Sequence, residues 1–184
     1  SKILLIDVGT GSGCIPIAIN NVIRKSGLSV NQDIIFATDI SRSALRVAKK
    51  NAKKYNVKIN FLRGNLLEPL IHHSSFIIHT STIIITANLP YLSEQQFQQS
   101  PSIQKEPKIA LVTDNNGMAL YEELLTQIKS LLLIVNCSLF IFLEIDPSQS
   151  EAILKIIKQY LPNAKTETKT DLAGRDRLVI IKLR

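Results

Sequence analysis

Residues 3–14 read ILLIDVGTGSGC, an apolar run that meets a carboxylate and then a turn with glycine at positions 9, 11 and 13. Ile3 to Val8 has the density of apolar residues expected of a strand buried on both faces, and such strands belong to parallel sheets. Open parallel sheets bind ligands at the carboxyl ends of their strands, which is where Asp7-Val8-Gly9-Thr10-Gly11-Ser12-Gly13 falls. Glycines there let the backbone approach a ligand closely, while the N-terminus of the following helix offers free N–H groups to an anionic or polar group. A nicotinamide-binding loop prefers G-x-G-x-x-G or G-x-G-x-x-A, whereas here the third small position is Cys14 and Gly13 comes one place early. That spacing argues against a nicotinamide dinucleotide.

Outward from this stretch the periodicity alternates. A helix is expected over 14–25, then a strand over 34–39, a helix over 41–55 and strands over 58–63 and 82–88. A helix near 116–134, a strand over 138–145, a helix over 148–160 and strands near 164–170 and 176–183 complete the chain. Pro16 fits only a first helical turn, Ser41 is a good N-cap, and Pro147-Ser148 opens a helix. The last two strands, joined by Asp171-Leu172-Ala173-Gly174-Arg175, suggest a hairpin whose final strand runs antiparallel in an otherwise parallel α/β sheet. Residues 91–115 lack a clear period, and loops of that length are usually functional or mobile.

The 184 residues suit one domain, with 45% hydrophobic residues to build a core. The longest apolar run, 131–143, is broken by Asn136 and Ser138 and is too short to span a bilayer, and Ile3 to Ile6 is too short for a signal-peptide core. The expectation is a monomeric protein of the cytoplasm, or of an organelle matrix after import, without membrane association. Cys14 and Cys137 lack a C-x-x-C partner and read as core residues. His72, His73 and His79 read as solvated loop residues, because no cluster of further ligands completes a metal shell. A net charge of +7 favours acidic surroundings such as RNA or the ribosome. Lys49, Lys50, Lys53 and Lys54 share one expected helix, where a solvated face is the simpler reading.

Asp39 closes the second strand, where a carboxylate can accept both hydroxyls of a ribose or cap the helix beginning near Ser41. Asn65 follows the third strand and suits either an adenine edge or a turn. The fourth strand ends in Asn88-Leu89-Pro90-Tyr91. This is a plausible strand-ending turn, but its place after the fourth parallel strand, ahead of the long segment 91–115, favours a functional site.

Asp7-Val-Gly-Thr-Gly-Ser-Gly-Cys14, Asp39-Ile-Ser41, Asn88-Leu-Pro-Tyr91, Glu106-Pro107 with Ala110-Leu111, and Asp171-Leu-Ala-Gly-Arg-Asp-Arg177 occur in this order. Together they resemble the catalytic domain of the peptide chain release factor glutamine methyltransferases, the HemK/PrmC family. The resemblance implies a class I S-adenosylmethionine-dependent methyltransferase fold of seven strands. It also implies transfer of a methyl group to the side-chain amide nitrogen of the glutamine in the Gly-Gly-Gln motif of release factors. Asp7, Gly9, Thr10, Gly11, Ser12, Gly13, Asp39, Ile40, Asn65, Leu66 and Asn88 would then hold S-adenosylmethionine. Asn88, Leu89, Pro90 and Tyr91 would grip the glutamine: an amide nitrogen is a poor nucleophile, and acceptors at Asn88 and the Leu89 carbonyl would orient and polarise it.

The chain departs from the family pattern in three places. Leu89 stands where the family has proline, Asn65 where it has aspartate, and nothing in these residues corresponds to the family's upstream helical docking domain. Asn-Leu-Pro-Tyr also resembles the motif of ribosomal RNA adenine dimethyltransferases. The alternatives are therefore an rRNA adenine or ribosomal-protein glutamine methyltransferase and, in another class, a catalytically silent cofactor-binding subunit.

Overall fold

The computed structural model of the protein describes residues 3–25, 35–71 and 80–184. Seven strands, β1 (Ile3–Val8), β2 (Ile35–Asp39), β3 (Asn60–Arg63), β4 (Thr82–Ala87), β5 (Ser138–Glu144), β6 (Lys165–Thr170) and β7 (Asp176–Leu183), form one sheet in the order β3-β2-β1-β4-β5-β7-β6. The helices are α1 (Cys14–Lys25), α2 (Arg42–Lys54), α3 (Glu68–Ile71), α4 (Glu94–Gln98), α5 (Ala119–Leu132) and α6 (Ser150–Tyr160). β1 to β5 are mutually parallel, and β7 runs antiparallel to both of its neighbours.

The apolar run of β1 is explained by its place at the centre, with Leu5 registered against Ile35 of β2 on one side and Ile84 of β4 on the other. From β1 the chain steps outward to β2 and β3, then returns to the opposite side of β1 as β4. Right-handed crossovers consequently put α1 and α2 on one face and α5 and α6 on the other. Leu4, Ile6, Val8, Ile83 and Ile85 join Tyr121, Leu124, Leu125 and Ile128 of α5 and Ile153 and Ile157 of α6 in the main core; Ile17, Ala52 and Val57 form a smaller one beside α1 and α2. The reversal of strand order between β1 and β4 opens a crevice at their carboxyl ends.

The caps read from sequence are present. Pro16 lies in the first turn of α1, Ser41 accepts the Ala44 N–H, and Asp146 with Gln149 closes a capping box ahead of α6. The expected hairpin with its antiparallel last strand is also present, and β7 inserts between β5 and β6. Its turn is clamped by Asp171, which accepts the backbone N–H groups of Ala173 and Arg175 and the guanidinium groups of Arg175 and Arg177. The Arg175 N–H foremost, with its neighbours, holds the Asp171 carboxyl down at about 2.

Residues 91–115 are more ordered than their lack of period suggests. Ser93 and Gln96 form a capping box on α4, and Leu92 bridges to Val112, which folds the segment back on itself. Cys14 is exposed rather than in the core, because it opens α1 on the outer side of the glycine turn; Cys137 is partly buried, and both thiols are free. His72, His73 and His79 lie outside the described residues, as does the expected first residue of β2, Ile34. Among the described residues no helix is long and apolar enough to cross a membrane.

Candidate active site

The glycine turn adopts left-handed backbone angles at Gly9 (φ 67°), Gly11 (φ 55°) and Gly13 (φ 80°). Two bonds tie it to the end of β2: Thr10 N–H donates to the Thr38 carbonyl at 2.9 Å, and Gly11 N–H donates to Asp39 Oδ2 at 2.8 Å. The glycines serve different purposes. A Cβ on Gly11 would meet nothing within 4 Å, one on Gly9 would come within 3.0 Å of Leu89 Cδ2, and one on Gly13 would press on Ala48 of α2 at 3.2 Å. Gly13 therefore permits close helix packing and lies buried, Gly9 permits the close approach of Leu89, and Gly11 leaves space beside the loop.

Asp39 also accepts the Ser41 N–H at 2.8 Å through Oδ1. Each carboxylate oxygen has taken one N–H and keeps a second lone pair, so both readings of Asp39 apply: it fixes two backbone turns and can still accept two hydroxyls. Asn65 donates its amide N–H to Glu123 of α5. A carboxylate only accepts, so this bond turns the Asn65 carbonyl oxygen away from Glu123 and leaves it available as an acceptor. One helical turn along α5, Gln127 accepts the Leu67 N–H at 2.6 Å. Between the two anchors Leu66 is held at φ 48°, an uncommon conformation for a leucine that marks a backbone constrained by its surroundings.

Gly9, Asp39, Ile40, Asn65, Leu66, Leu89 and Pro90 line one cleft of about 730 Å³, whose far wall is Pro107 to Ala110 and Val112 to Asp114. Segment 91–115, which follows the strand-end motif, is thus a wall of this cleft. Asp7, Thr10 and Gly13 are buried beneath the loop, and Ser12 is exposed on its outer side with its carbonyl held by Asn51 of α2 at 2.9 Å. Burial pushes the Asp7 carboxyl up to about 6 against the pull of the nearby Thr10 and Thr86 hydroxyls. Thr86 donates to Asp7 Oδ1 at 2.6 Å, while Asp7 Oδ2 and Thr10 Oγ1 lack hydrogen-bond partners.

Asn88 is exposed where β4 ends and takes no side-chain hydrogen bond among the described residues. Leu89 is 2% exposed and packs toward Gly9. Tyr91 is half-buried against the core, and burial first, then the Glu144 charge, raise its hydroxyl pKa. Its carbonyl accepts from Gln149 Nε2 at 2.7 Å, and a Cβ on Gly117 would lie 2.0 Å from that oxygen. Sequence reasoning missed Gln149, Gly117, Glu123 and Gln127. Asp-Asn-Asn-Gly at 114–117 is a turn signal that pointed to Gly117, and Asp146-x-x-Gln149 is a capping-box signal for Gln149; Glu123 and Gln127 are ordinary helix residues without a local signal.

These residues fit S-adenosylmethionine. Asp39 suits a ribose, the Asn65 carbonyl an adenine amino group, Ile40 and Leu66 an apolar ring, and the open side of Gly11 a charged amino-acid tail.

Known proteins resemble this chain in sequence and in fold. Residues 1–89 match the family model of ribosomal protein L11 methyltransferase (PrmA). The chain is 35% identical over 180 residues to the release factor glutamine methyltransferase of Staphylococcus aureus, covering 97% of this chain and 59% of that one. It is 32% identical over 180 residues to that of Bacillus subtilis, covering 97% and 57%. It therefore spans less than two-thirds of the length of these relatives. Among solved structures, the N-terminal domain of human METTL16 in complex with SAH superposes with a TM-score of 0.58 at 18% identity, over 98% of this chain and 61% of that one. A methyltransferase from Pyrococcus furiosus gives 0.56 at 14%, over 97% and 73%. The chain has the class I S-adenosylmethionine-dependent methyltransferase fold and, along 97% of its length, is similar in sequence to release factor glutamine methyltransferases.

Proposed function

We infer that the protein transfers a methyl group from S-adenosylmethionine to the side-chain amide nitrogen of the glutamine in the Gly-Gly-Gln motif of peptide chain release factors. The observation that carries this reading is the position of Asn88. A side-chain amide with no partner among the described residues stands exposed at the end of β4, one residue before Leu89 and Pro90 enter the cleft beside Gly9.

S-adenosylmethionine, when bound, supplies an electrophilic methyl group. Asp39, Ile40, Asn65 and Leu66 hold its nucleoside, and the turn 9–13 its amino-acid tail. Asn88 Oδ1 and the Leu89 carbonyl accept the two hydrogens of the substrate amide, which aims the nitrogen lone pair and stabilises the positive charge it gains. Pro90 restricts Leu89 to an extended conformation and so directs that carbonyl. Tyr91, whose carbonyl is held by Gln149, would offer its ring to the planar amide. A strong base is not required, because the nitrogen becomes acidic only as it is alkylated and the proton then leaves to water.

Leucine at 89 in place of proline is compatible with this reading, since its side chain is buried in the core and the residue keeps a backbone carbonyl to offer the substrate. The test is intact-mass analysis with fragment mapping of a release factor incubated with the protein and S-adenosylmethionine. One added methyl group on the Gly-Gly-Gln glutamine is expected. Methylation of adenine in ribosomal RNA, with the release factor unmodified, would replace the proposal with the nucleic-acid alternative.

A further inference from the structure

The net positive charge is not spread over the molecule. Between residues 40 and 67 fall eight of the 22 basic residues and none of the 15 acidic ones, so the rest of the chain holds 14 bases against 15 acids. Most of the excess lies on α2. Arg42, Arg46, Lys49, Lys50 and Lys53 recur at the spacing of helical turns and form one exposed stripe beside the buried face of Leu45, Ala48 and Ala52. None of the five makes an ion pair with any described residue.

A merely solvated helix face mixes signs, because opposite charges three or four residues apart support the helix and like charges oppose it. α2 has the opposing arrangement throughout: 42 with 46, 46 with 50, 49 with 53 and 50 with 54. It also starts on Arg42 with no acidic residue in its first turn, against the helix dipole. Nothing within the described fold offsets this repulsion. A polyanion lying along the stripe would.

We propose that the α2 stripe is an RNA-binding surface that contacts the phosphate backbone. The choice of RNA over other polyanions rests on the reading of a release factor as substrate, since a factor of translation termination is met among RNA. Regularly spaced, flexible basic side chains suit backbone contacts, which bind without reading sequence. The stripe begins where Ser43, Ala44 and Val47 border the cleft, so RNA held there would lie beside the site without occupying it.

The experiment is fluorescence anisotropy of a short labelled single-stranded RNA titrated with the protein over a range of salt, alongside the double variant R46E/K53E. Expected is binding whose log affinity falls linearly with log salt. The variant should bind at least about tenfold more weakly, with a slope shallower by about 0.7 for each phosphate it no longer neutralises. Its S-adenosylmethionine affinity should not change. A glutamate at position 46 precedes Lys50 by four residues, the favourable orientation for such a pair, so the variant should melt no lower than the parent, which separates weakened binding from failed folding. Absence of RNA binding at low salt, equal binding by the variant, or tighter binding of duplex DNA, polyglutamate or anionic vesicles than of RNA would each overturn the proposal. Methylation of the release factor, measured separately, tells failure of this surface from failure of the substrate assignment.

Discussion

Asp7 is wholly buried at the end of β1, with one carboxylate oxygen bonded to Thr86 and the other without a partner. Its acid form is favoured by folding: the carboxyl titrates near 3.8 when unfolded and is pushed up to about 6 by burial. The folded state therefore binds more protons between these values. The stability associated with Asp7 is fully present below about 4 and is lost as pH rises through 6, by up to about 3 kcal/mol. Asp7→Asn keeps an acceptor for Thr86 and removes the charge, so it should melt higher than the parent at pH 8 and no higher at pH 4; an equal gain at both would assign the effect to something other than ionisation. The site residues separate by a different readout. Asn88→Ala should reduce methyl transfer at least about 100-fold, the scale of losing a group oriented toward the transition state, with cofactor affinity nearly intact. Asp39→Ala should weaken cofactor binding first. If calorimetry showed both variants losing cofactor equally, the division between amide grip and ribose site would be wrong. At this scale the sequence was readable where a residue type is uncommon in its setting, as with Asn88 ending an apolar strand. It was silent on Glu123 and Gln127, because what those two residues do depends on which turn α5 packs against.

The glycine turn tests how elements divide their duties. Gly11→Ala meets open space and should cost only the left-handed strain, about 1–2 kcal/mol, while reducing cofactor affinity. Gly13→Ala adds to the same strain a contact of 3.2 Å with Ala48, so it should melt lower than Gly11→Ala. Denaturant melts of the two variants with and without cofactor check the order, and a Gly11→Ala protein as unstable as Gly13→Ala would mean that the loop, rather than the α1–α2 packing, sets the stability. α2 bears a further burden in its four like-charge pairs, about 1–2 kcal/mol together at the usual size of such terms. Element by element, strands and long helices were legible to within a few residues because their periods are imposed by burial on a sheet. α3 and α4 were missed because a helix of four or five residues completes hardly more than one turn, too little to show a period. For α4 the Ser93-x-x-Gln96 box was the available signal.

At the scale of the molecule, the parallel half of the sheet follows from the alternation of strand and helix, and the antiparallel end from two successive strands joined by a tight turn. The insertion of β7 between β5 and β6 does not follow from either, since a hairpin can add to a sheet by its first or its second strand. The packing supplies the reason: β7 carries Val179 and Ile181, wholly buried, whereas β6 reads Lys-Thr-Glu-Thr-Lys-Thr and has no wholly buried residue. The apolar strand takes the interior place and the polar one becomes the edge, where charged side chains also discourage pairing with other chains. The consequence for function is that the contributors to the cleft, from β1, β2, β3, β4 and segment 107–114, are joined by one continuous sheet and its adjoining loops. A ligand that bridges them should stabilise the whole fold. At about a hundred times its dissociation constant, S-adenosylmethionine should add about 2.7 kcal/mol, a rise in Tm of about 5–10 °C for a chain of this size. Asp39→Ala at the same concentration should show a smaller rise, and Asn88→Ala the full one. A melt that splits into two transitions, only one of them moved by the ligand, would show instead that the two halves of the sheet unfold separately and that the cofactor secures only its own side.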